Sequence, residues 1–300
     1  MRKKAKEASY PEVVETIDHL VAEDHPAFSL SMAYRNDEKR IWIYQGDSLR
    51  IMGVLAEKYP QGRFDMIFAD PPYFLSNGGI TCHAGRMVRV DKGDWDKSRG
   101  PELNHEFNLE WLKLCQKILN PNGTIWITGT HHVIFSIGFA MQQLRFKILN
   151  DISWEKPNPP PNLSCRYFTH STETVIWAAK NEKSRHYFNY KLMREINRGK
   201  QMKTVWLIAP PQNDEKVFGK HPTQKPLALL ERCLLASTKQ GDLVLDPFLG
   251  SGTTAIASLR LKRKCVGIEL EKGFIDISIE RLRKEEISRN RLFEDYPESR

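Results

Sequence analysis

Paired cysteines, metal-ligand spacing, long apolar runs and internal repeats are all missing from this 300-residue chain. Its five cysteines (Cys82, Cys115, Cys165, Cys233 and Cys265) are odd in number, widely spaced and never arranged as C-x-x-C. That pattern argues against a disulfide framework and against a zinc ribbon, and it suits a reducing cytoplasm. His131-His132 and Cys82-His83 lack partners at ligand spacing, so no metal is assigned. No stretch approaches the roughly eighteen apolar residues that a membrane helix needs, and the basic start MRKKAKEASYPEVV is not followed by an apolar segment. Membrane spanning and secretion are therefore not expected.

What is present is a chain with 40% hydrophobic residues, enough for a full core. The formal charge of +8 favours a polyanionic partner through phosphate contacts and counterion release. Short β-branched or aromatic runs mark seven strands, at 41–45, 64–70, 123–129, 151–156, 173–180, 242–248 and 264–270. Helical patterns run from Leu109 to Leu119, Ile134 to Leu144, Pro226 to Ser237 and Thr253 to Leu261, with NPNG at 120–123 as a helix stop. The alternation predicts an α/β fold with a doubly wound, seven-stranded, mostly parallel sheet. Two segments break the rhythm. Phe74 to Pro101 follows a strand end, where α/β proteins carry ligand-handling loops, and 181–220 is a basic, aromatic insertion.

The sharpest motif is Asp70-Pro71-Pro72-Tyr73, at the end of the run MIFA. Two prolines stiffen the turn, so the Asp70 carboxylate and the Pro71 carbonyl can be neighbouring acceptors aimed into one pocket. Such a pair suits an exocyclic amine: it grips both N–H groups, favours pyramidal nitrogen and lets the lone pair attack a sulfonium methyl in line. Asp70 then stabilises developing positive charge, and Tyr73 offers a flat face to a base flipped out of its stack. A second motif, Asp246-Pro247-Phe248-Leu249-Gly250-Ser251-Gly252-Thr253, runs from a strand through a glycine turn into a helix. Gly250 and Gly252 permit close approach, and the helix start offers free N–H groups to a carboxylate. Glu269 ends the next strand, where an acidic side chain reaches ribose hydroxyls. A third cluster, His221-Pro222-Thr223-Gln224-Lys225-Pro226, precedes a helix that Thr223 or Gln224 can cap, and Lys225 can neutralise a cofactor carboxylate.

With these motifs in this order, the chain resembles the S-adenosylmethionine-dependent amino-methyltransferases of DNA in their β-class arrangement. The stretches DPPYFLSNGG, KGDWDK, NLSCRYFTHSTE and GKHPTQKP are similar to the GATC-modifying adenine methyltransferases of the DpnA kind. The resemblance implies a circularly permuted methyltransferase sheet with one antiparallel strand near its edge, and a site-specific transfer of methyl from S-adenosylmethionine to adenine N6. It implies Asp70, Pro71, Pro72 and Tyr73 as catalytic. It implies Asp47, His221, Thr223, Gln224, Lys225, Asp246, Phe248, Gly250, Ser251, Gly252, Thr253 and Glu269 as cofactor-binding; for Asp47 a helix cap is an equally good reading. The implied partners are DNA, duplex or single-stranded, a second copy of the chain and a cognate restriction endonuclease.

The expected organisation is an N-terminal extension over 1–38, a catalytic domain over 39–300, and a target-recognition insertion over 181–220 within it. Arg185, Arg194, Arg198, Lys200 and Lys203 of that insertion are the candidate DNA contacts, while Tyr167 and Phe168 are candidates for holding the flipped base. Cytosine N4 is the alternative acceptor on the same scaffold, and a catalytically silent DNA-binding module is the alternative from another class. RNA or protein-glutamine methylation is disfavoured by the order of the motifs. No P-C dipeptide is present, so covalent carbon-5 chemistry is not expected.

Overall fold

The computed structural model describes residues 11–22, 30–76, 80–83, 86–89, 96–219 and 221–295. Parts of the expected 74–101 loop, with residues 77–79 of DPPYFLSNGG and 92–95 of KGDWDK, lie outside the described residues.

Five parallel strands form the middle of the sheet: β2 (Ile41–Gln45), β11 (Lys264–Glu269), β10 (Leu243–Asp246), β3 (Phe64–Ala69) and β6 (Leu119–Gly129). Their sequences are nearly continuous apolar runs because helices cover both faces. On one face α1 (Pro11–Ala22), α2 (Ser48–Lys58), α3 (Pro101–Ile118) and α4 (Ile134–Gln143) bury Ile17, Met52, Trp111 and Ile137. On the other, α5 (Tyr190–Ile196), α6 (Leu227–Ser237), α7 (Thr253–Arg260) and α8 (Lys272–Asp295) bury Met193, Leu230, Ala257 and Leu282.

The sheet has nine strands rather than the seven expected, in the order β1-β2-β11-β10-β3-β6-β8-β7-β9. The two extra strands are edges with weak sequence signals. β1 (Ser31–Asn36) is only partly buried and pairs antiparallel with β2, while β9 (Val205–Leu207) is three residues long and parallel to β7 (Lys147–Glu155). β1 falls inside the expected 1–38 extension, and α1 packs into the core with Val13, Val14 and Ile17, so the described part of that segment is built into the fold. β9 falls likewise inside the 181–220 insertion. Within the described part of the 74–101 segment, β4 (Ile80–His83) and β5 (Arg86–Arg89) form a separate antiparallel ribbon.

The implied antiparallel strand is β8 (Thr172–Ala179), held between β6 and β7 and antiparallel to both. Its direction has a consequence for the site: β8 begins at the edge where β3 and β6 end, and it finishes at the opposite edge. The NPNG stop works as expected, since α3 closes at Ile118. Residues 120–123 then make an irregular start to β6, where the pairing slips between Phe64 and Met66. A Cβ on Gly123 would lie 2.8 Å from the Phe64 carbonyl oxygen, so only glycine admits this close approach. From the adjacent β3 and β10 the sheet is extended in opposite directions, to β6 on one side and β11 on the other. Their carboxyl ends therefore flank the crevice where open α/β sheets bind ligands.

Candidate active site

Asp70 follows directly on β3, and its carboxylate is thereby delivered to the carboxyl edge of the sheet. Its Oδ1 accepts from the Thr128 hydroxyl at 2.6 Å and the Tyr73 hydroxyl at 2.7 Å, while its Oδ2 accepts from Lys225 Nζ at 2.6 Å. Lys225 is buried and also donates to the Thr223 carbonyl at 3.1 Å. Burial opposes the charge on Lys225, but the carboxylates of Asp70 and Glu173 outweigh it and hold the ammonium above its ordinary pKa. Tyr73 is pushed well above the usual phenol range, first by burial and then by the same two carboxylates, so it stays a hydroxyl donor.

The turn after Asp70 is fixed by Asp96, which is fully buried. Asp96 Oδ1 accepts from the backbone N–H groups of Tyr73 and Phe74, both at 2.8 Å, and Oδ2 accepts from Leu75 N at 3.2 Å and Ser76 Oγ at 2.9 Å. Phe74 sits at φ +58°, a strained value for a side chain of that size, and this carboxylate over-determines it.

At the far end of the crevice, β10 passes into the glycine turn. Asp246 Oδ1 accepts from Phe248 N at 3.0 Å and Oδ2 from Thr254 Oγ1 at 2.5 Å. Burial raises its pKa to about 7 despite those donors. Glu269 accepts from Gly250 N at 2.7 Å, Leu270 N at 2.9 Å and Glu271 N at 2.8 Å, which uses three of its roughly four acceptor positions. From beneath, Ser278 of α8 donates to the Gly250 carbonyl at 2.9 Å, and buried Arg281 donates to Ser251 O at 2.6 Å and Thr253 Oγ1 at 3.1 Å. His221 packs against Gly250, where an added Cβ would come within 2.9 Å of its Nε2.

A cavity of about 540 Å³ joins the two ends. Every catalytic and cofactor candidate except Gly252 lines it, from Asp70, Pro71, Pro72 and Tyr73 to Asp246, Phe248 and Glu269. Gly252 stands back as the left-handed N-cap of α7 at φ +80°. A family described as DNA methylase, of N6/N4 type, matches residues 64–280, the span that holds both ends of this cavity. The chain belongs to the DNA methylase family. The Type II methyltransferase M2.DpnII of Streptococcus pneumoniae is 54% identical over 257 residues, 85% of this chain and 94% of that protein. The Type II methyltransferase M2.MboI of Moraxella bovis is 51% identical over 245 residues, 82% of this chain and 88% of its own. The crystal structure of the M1.HpyAVI-SAM complex superimposes with a TM-score of 0.62 at 30% identity, covering 81% of this chain and 98% of that one. The cytosine-N4-specific PvuII DNA methyltransferase shares the fold, with a TM-score of 0.65 at 20% identity over 89% of this chain and 96% of that one.

Several side chains of this methylase sit otherwise than the sequence led one to expect. Lys225 Nζ, expected to neutralise a cofactor carboxylate, bonds the Asp70 carboxylate. The helix after it is capped neither by Thr223 nor by Gln224: Pro226 is the N-cap, and the distant Glu215 accepts from Leu227 N at 2.9 Å. The Tyr73 ring is buried in the cavity wall, and its hydroxyl donates to Asp70. Asp47 lines the cavity and caps α2 through Leu49 N at 2.8 Å.

None of the five basic candidates lines the cavity. Because β8 runs antiparallel, the chain leaves it at the edge opposite Asp70. Arg185 is held there by Asn122 at the start of β6, and α5 is tied by Asn189 N to Ala236 O at the far end of α6. Arg194 donates to the Gly199 carbonyl at 3.0 and 2.8 Å and closes its own helix. Arg198, Lys200 and Lys203 are exposed around the turn from α5 to β9. The segment that does stand at the carboxyl edge is the β7–β8 connection, with Tyr167 62% and Phe168 96% exposed. Beside it His131 and His170 stack at 4.5 Å between ring centres. Asp96, Thr128, Glu173 and Arg281 were not picked out individually from the sequence, although Asp96 falls in KGDWDK and Glu173 in NLSCRYFTHSTE, because each acts on the site from a remote segment.

The raised pKa of Asp246 carries a pH prediction. A carboxyl that holds its proton more tightly when folded costs stability as pH climbs from its unfolded value near 4 towards about 7, and that cost is fully present above pH 7. Asp246→Asn should therefore raise the Tm of the ligand-free protein by roughly 2–8 °C at pH 8, with the gain vanishing by about pH 4. Equal Tm differences at both pH values in a calorimetric scan would contradict this.

Proposed function

We propose that this methylase transfers the methyl group of S-adenosylmethionine to the exocyclic N6 of adenine in DNA, with GATC as its target. The observation that carries the reading is the Asp70 carboxylate at the mouth of the crevice. Three donors occupy three of its roughly four acceptor positions, two on Oδ1 and one on Oδ2. The remaining position on Oδ2, with the neighbouring Pro71 carbonyl, suits the two N–H groups of an exocyclic amine. As positive charge develops on the attacking nitrogen, the preorganised carboxylate stabilises it.

The cavity fits the cofactor by the chemistry of its donor set. Among the described residues, Gln224 is buried on the cavity wall with no hydrogen-bond partner for its Oε1, and Asp246 is a buried acid with no cation within ion-pair distance. Both suit an ammonium group. The N–H groups at the start of α7, with Ser251 and Thr253, suit a carboxylate. The last acceptor position of Glu269 suits a ribose hydroxyl, and Asp47 the cofactor's adenine. Phe248 and His221 supply apolar walls. When bound, the cofactor supplies an electrophilic methyl on sulfur; the chain's own residues orient it towards Asp70 and exclude water.

Adenine rather than cytosine is supported by Asp at the head of the D-P-P-Y motif and by the DpnA-like stretches, and GATC by those stretches together with the identity to M2.DpnII along most of both chains. The designation of the relatives as Type II methyltransferases supports a restriction-modification setting with a cognate endonuclease. Among the described residues no helix is long and apolar enough to cross a membrane. A cytoplasmic enzyme acting on duplex or single-stranded DNA, as a monomer or a homodimer, completes the proposal. Docking of the target is assigned to the carboxyl edge around Tyr167 and Phe168, and the basic residues of the 181–220 segment are left the role of steering phosphates.

The test is transfer from labelled S-adenosylmethionine to unmodified DNA, followed by nucleoside analysis and site mapping. N6-methyladenine concentrated in GATC is the expected product. N4-methylcytosine would overturn the base, N6-methyladenine elsewhere the target, and no transfer to any DNA the reaction.

A further inference from the structure

We propose that Glu173 is a positioning residue which, with Lys156 as its counter-ion, sets the charge balance at Asp70 through Lys225 and Tyr73. The inference rests on the reading of Asp70 given above.

Glu173 is the second residue of β8, and it reaches the crevice only because that strand runs antiparallel and begins at the carboxyl edge. Its Oε2 lies 3.4 Å from the Tyr73 hydroxyl and 3.8 Å from Lys225 Nζ, both of which bond Asp70 directly. Its Oε1 is paired with Lys156 Nζ, from the residue that follows β7. The result is a row of alternating charge, Asp70, Lys225, Glu173 and Lys156, that enters the protein from the crevice and ends at a partly exposed lysine. The Asp70, Lys225 and Glu173 side chains are 13%, 6% and 12% exposed, so solvent screens them weakly.

A buried ammonium bonded only to Asp70 would cancel the charge on which that carboxylate relies when the amine nitrogen becomes positive. Glu173 shares the ammonium and leaves the cluster of Asp70, Lys225 and Glu173 with one net negative charge facing the acceptor. Among the described residues, the remaining charged or titratable groups that face this cluster are Tyr73 after β3 and Asp246 on β10, the latter feeling Asp70 across the crevice. Neither reaches Glu173 with an opposite charge, which leaves Lys156 as the counterweight.

The signs follow directly. Removing the negative charge of Glu173 leaves the Lys225 ammonium to face Asp70 alone, and removing the positive charge of Lys156 leaves Glu173 without its counter-ion. Glu173→Gln should lower kcat by about tenfold to a hundredfold, change the KM for S-adenosylmethionine little, and move the acid limb of the kcat/KM profile down by about one pH unit. Lys156→Met should move the same limb upward. Glu173→Asp, which keeps the charge, should recover most of kcat.

The experiment is the pH–rate profile of the three variants and the wild type on one DNA substrate, with Tm recorded for each. Opposite displacements of the acid limb support the proposal. Displacement in one direction by both variants, no displacement by either, or a loss of kcat in Glu173→Gln that Glu173→Asp does not recover would overturn it. The wild-type profile separates this failure from that of the underlying reading, which fails only if the wild type transfers no methyl to DNA or if Asp70→Asn stays active.

Discussion

Asp70→Asn should lower kcat for methyl transfer by about a thousandfold or more, while S-adenosylmethionine binding stays measurable by calorimetry. The amide keeps the size of the carboxylate and can still accept from Thr128 and Tyr73. What it loses is the negative charge opposite Lys225, and with it the stabilisation of a positive nitrogen. The same substitution should cost stability, because it strips a buried ammonium of its closest partner at 2.6 Å. Removing one member of a buried ion pair costs about 3–5 kcal/mol, and Glu173 at 3.8 Å should hold the loss to the lower end of that range. A drop in activity alone would thus be ambiguous. The double variant Asp70→Asn with Lys225→Met removes the orphaned charge, so it should regain much of the lost Tm and remain inactive. Retention of a rate within tenfold of wild type by Asp70→Asn would show that another group does this work.

The parts of the molecule that could be read in the sequence are those whose physics is local. D-P-P-Y announces itself because two prolines after a strand-ending carboxylate stiffen the backbone locally, whichever remote group then holds the turn. The run from Asp246 to Thr253 announces itself because only glycine takes the left-handed conformations it requires. The central strands were legible as apolar runs for the same kind of reason. β1 and β9 were not, since edge strands bury one face at most and carry no such run.

The harder part was direction. The basic residues between 183 and 203 were natural candidates for DNA contact, and their charge is real. The antiparallel course of β8, however, carries the chain to the far edge before Arg185 is reached. The same reversal brings Glu173, a residue of THSTE not singled out by itself, to the neighbours of the Asp70 carboxylate. Asp96 and Arg281 act on loops that are more than twenty residues away in sequence, and no period or spacing links them to their targets. Lys225 was expected to meet a cofactor carboxylate, and its pairing with Asp70 was not foreseen because that partner lies 155 residues earlier.

Gly252→Ala should weaken S-adenosylmethionine binding by about tenfold to a hundredfold, although Gly252 does not line the cavity. Two separate costs meet at this position. The φ of +80° puts an alanine in a region that costs about 1–2 kcal/mol for a residue with a Cβ. The Cβ itself would lie 2.8 Å from Ser278 Cβ and 3.2 Å from Ser278 Cα, a contact with the body of α8 that no rotamer change relieves. The loop must therefore move off α8. When it moves, the hydrogen bonds from Ser278 to the Gly250 carbonyl and from Arg281 to the Ser251 carbonyl are strained, and the first N–H groups of α7 lose their aim. Adding Ser278→Gly to Gly252→Ala removes the 2.8 Å contacts, leaves the 3.2 Å contact with Cα and the conformational cost, and gives up the Ser278 bond to the Gly250 carbonyl. Affinity should then recover in part, even though a glycine inside a helix costs about 1 kcal/mol of stability. Wild-type affinity in Gly252→Ala, or no recovery in the double variant, would mean that α8 does not hold the loop in its binding shape.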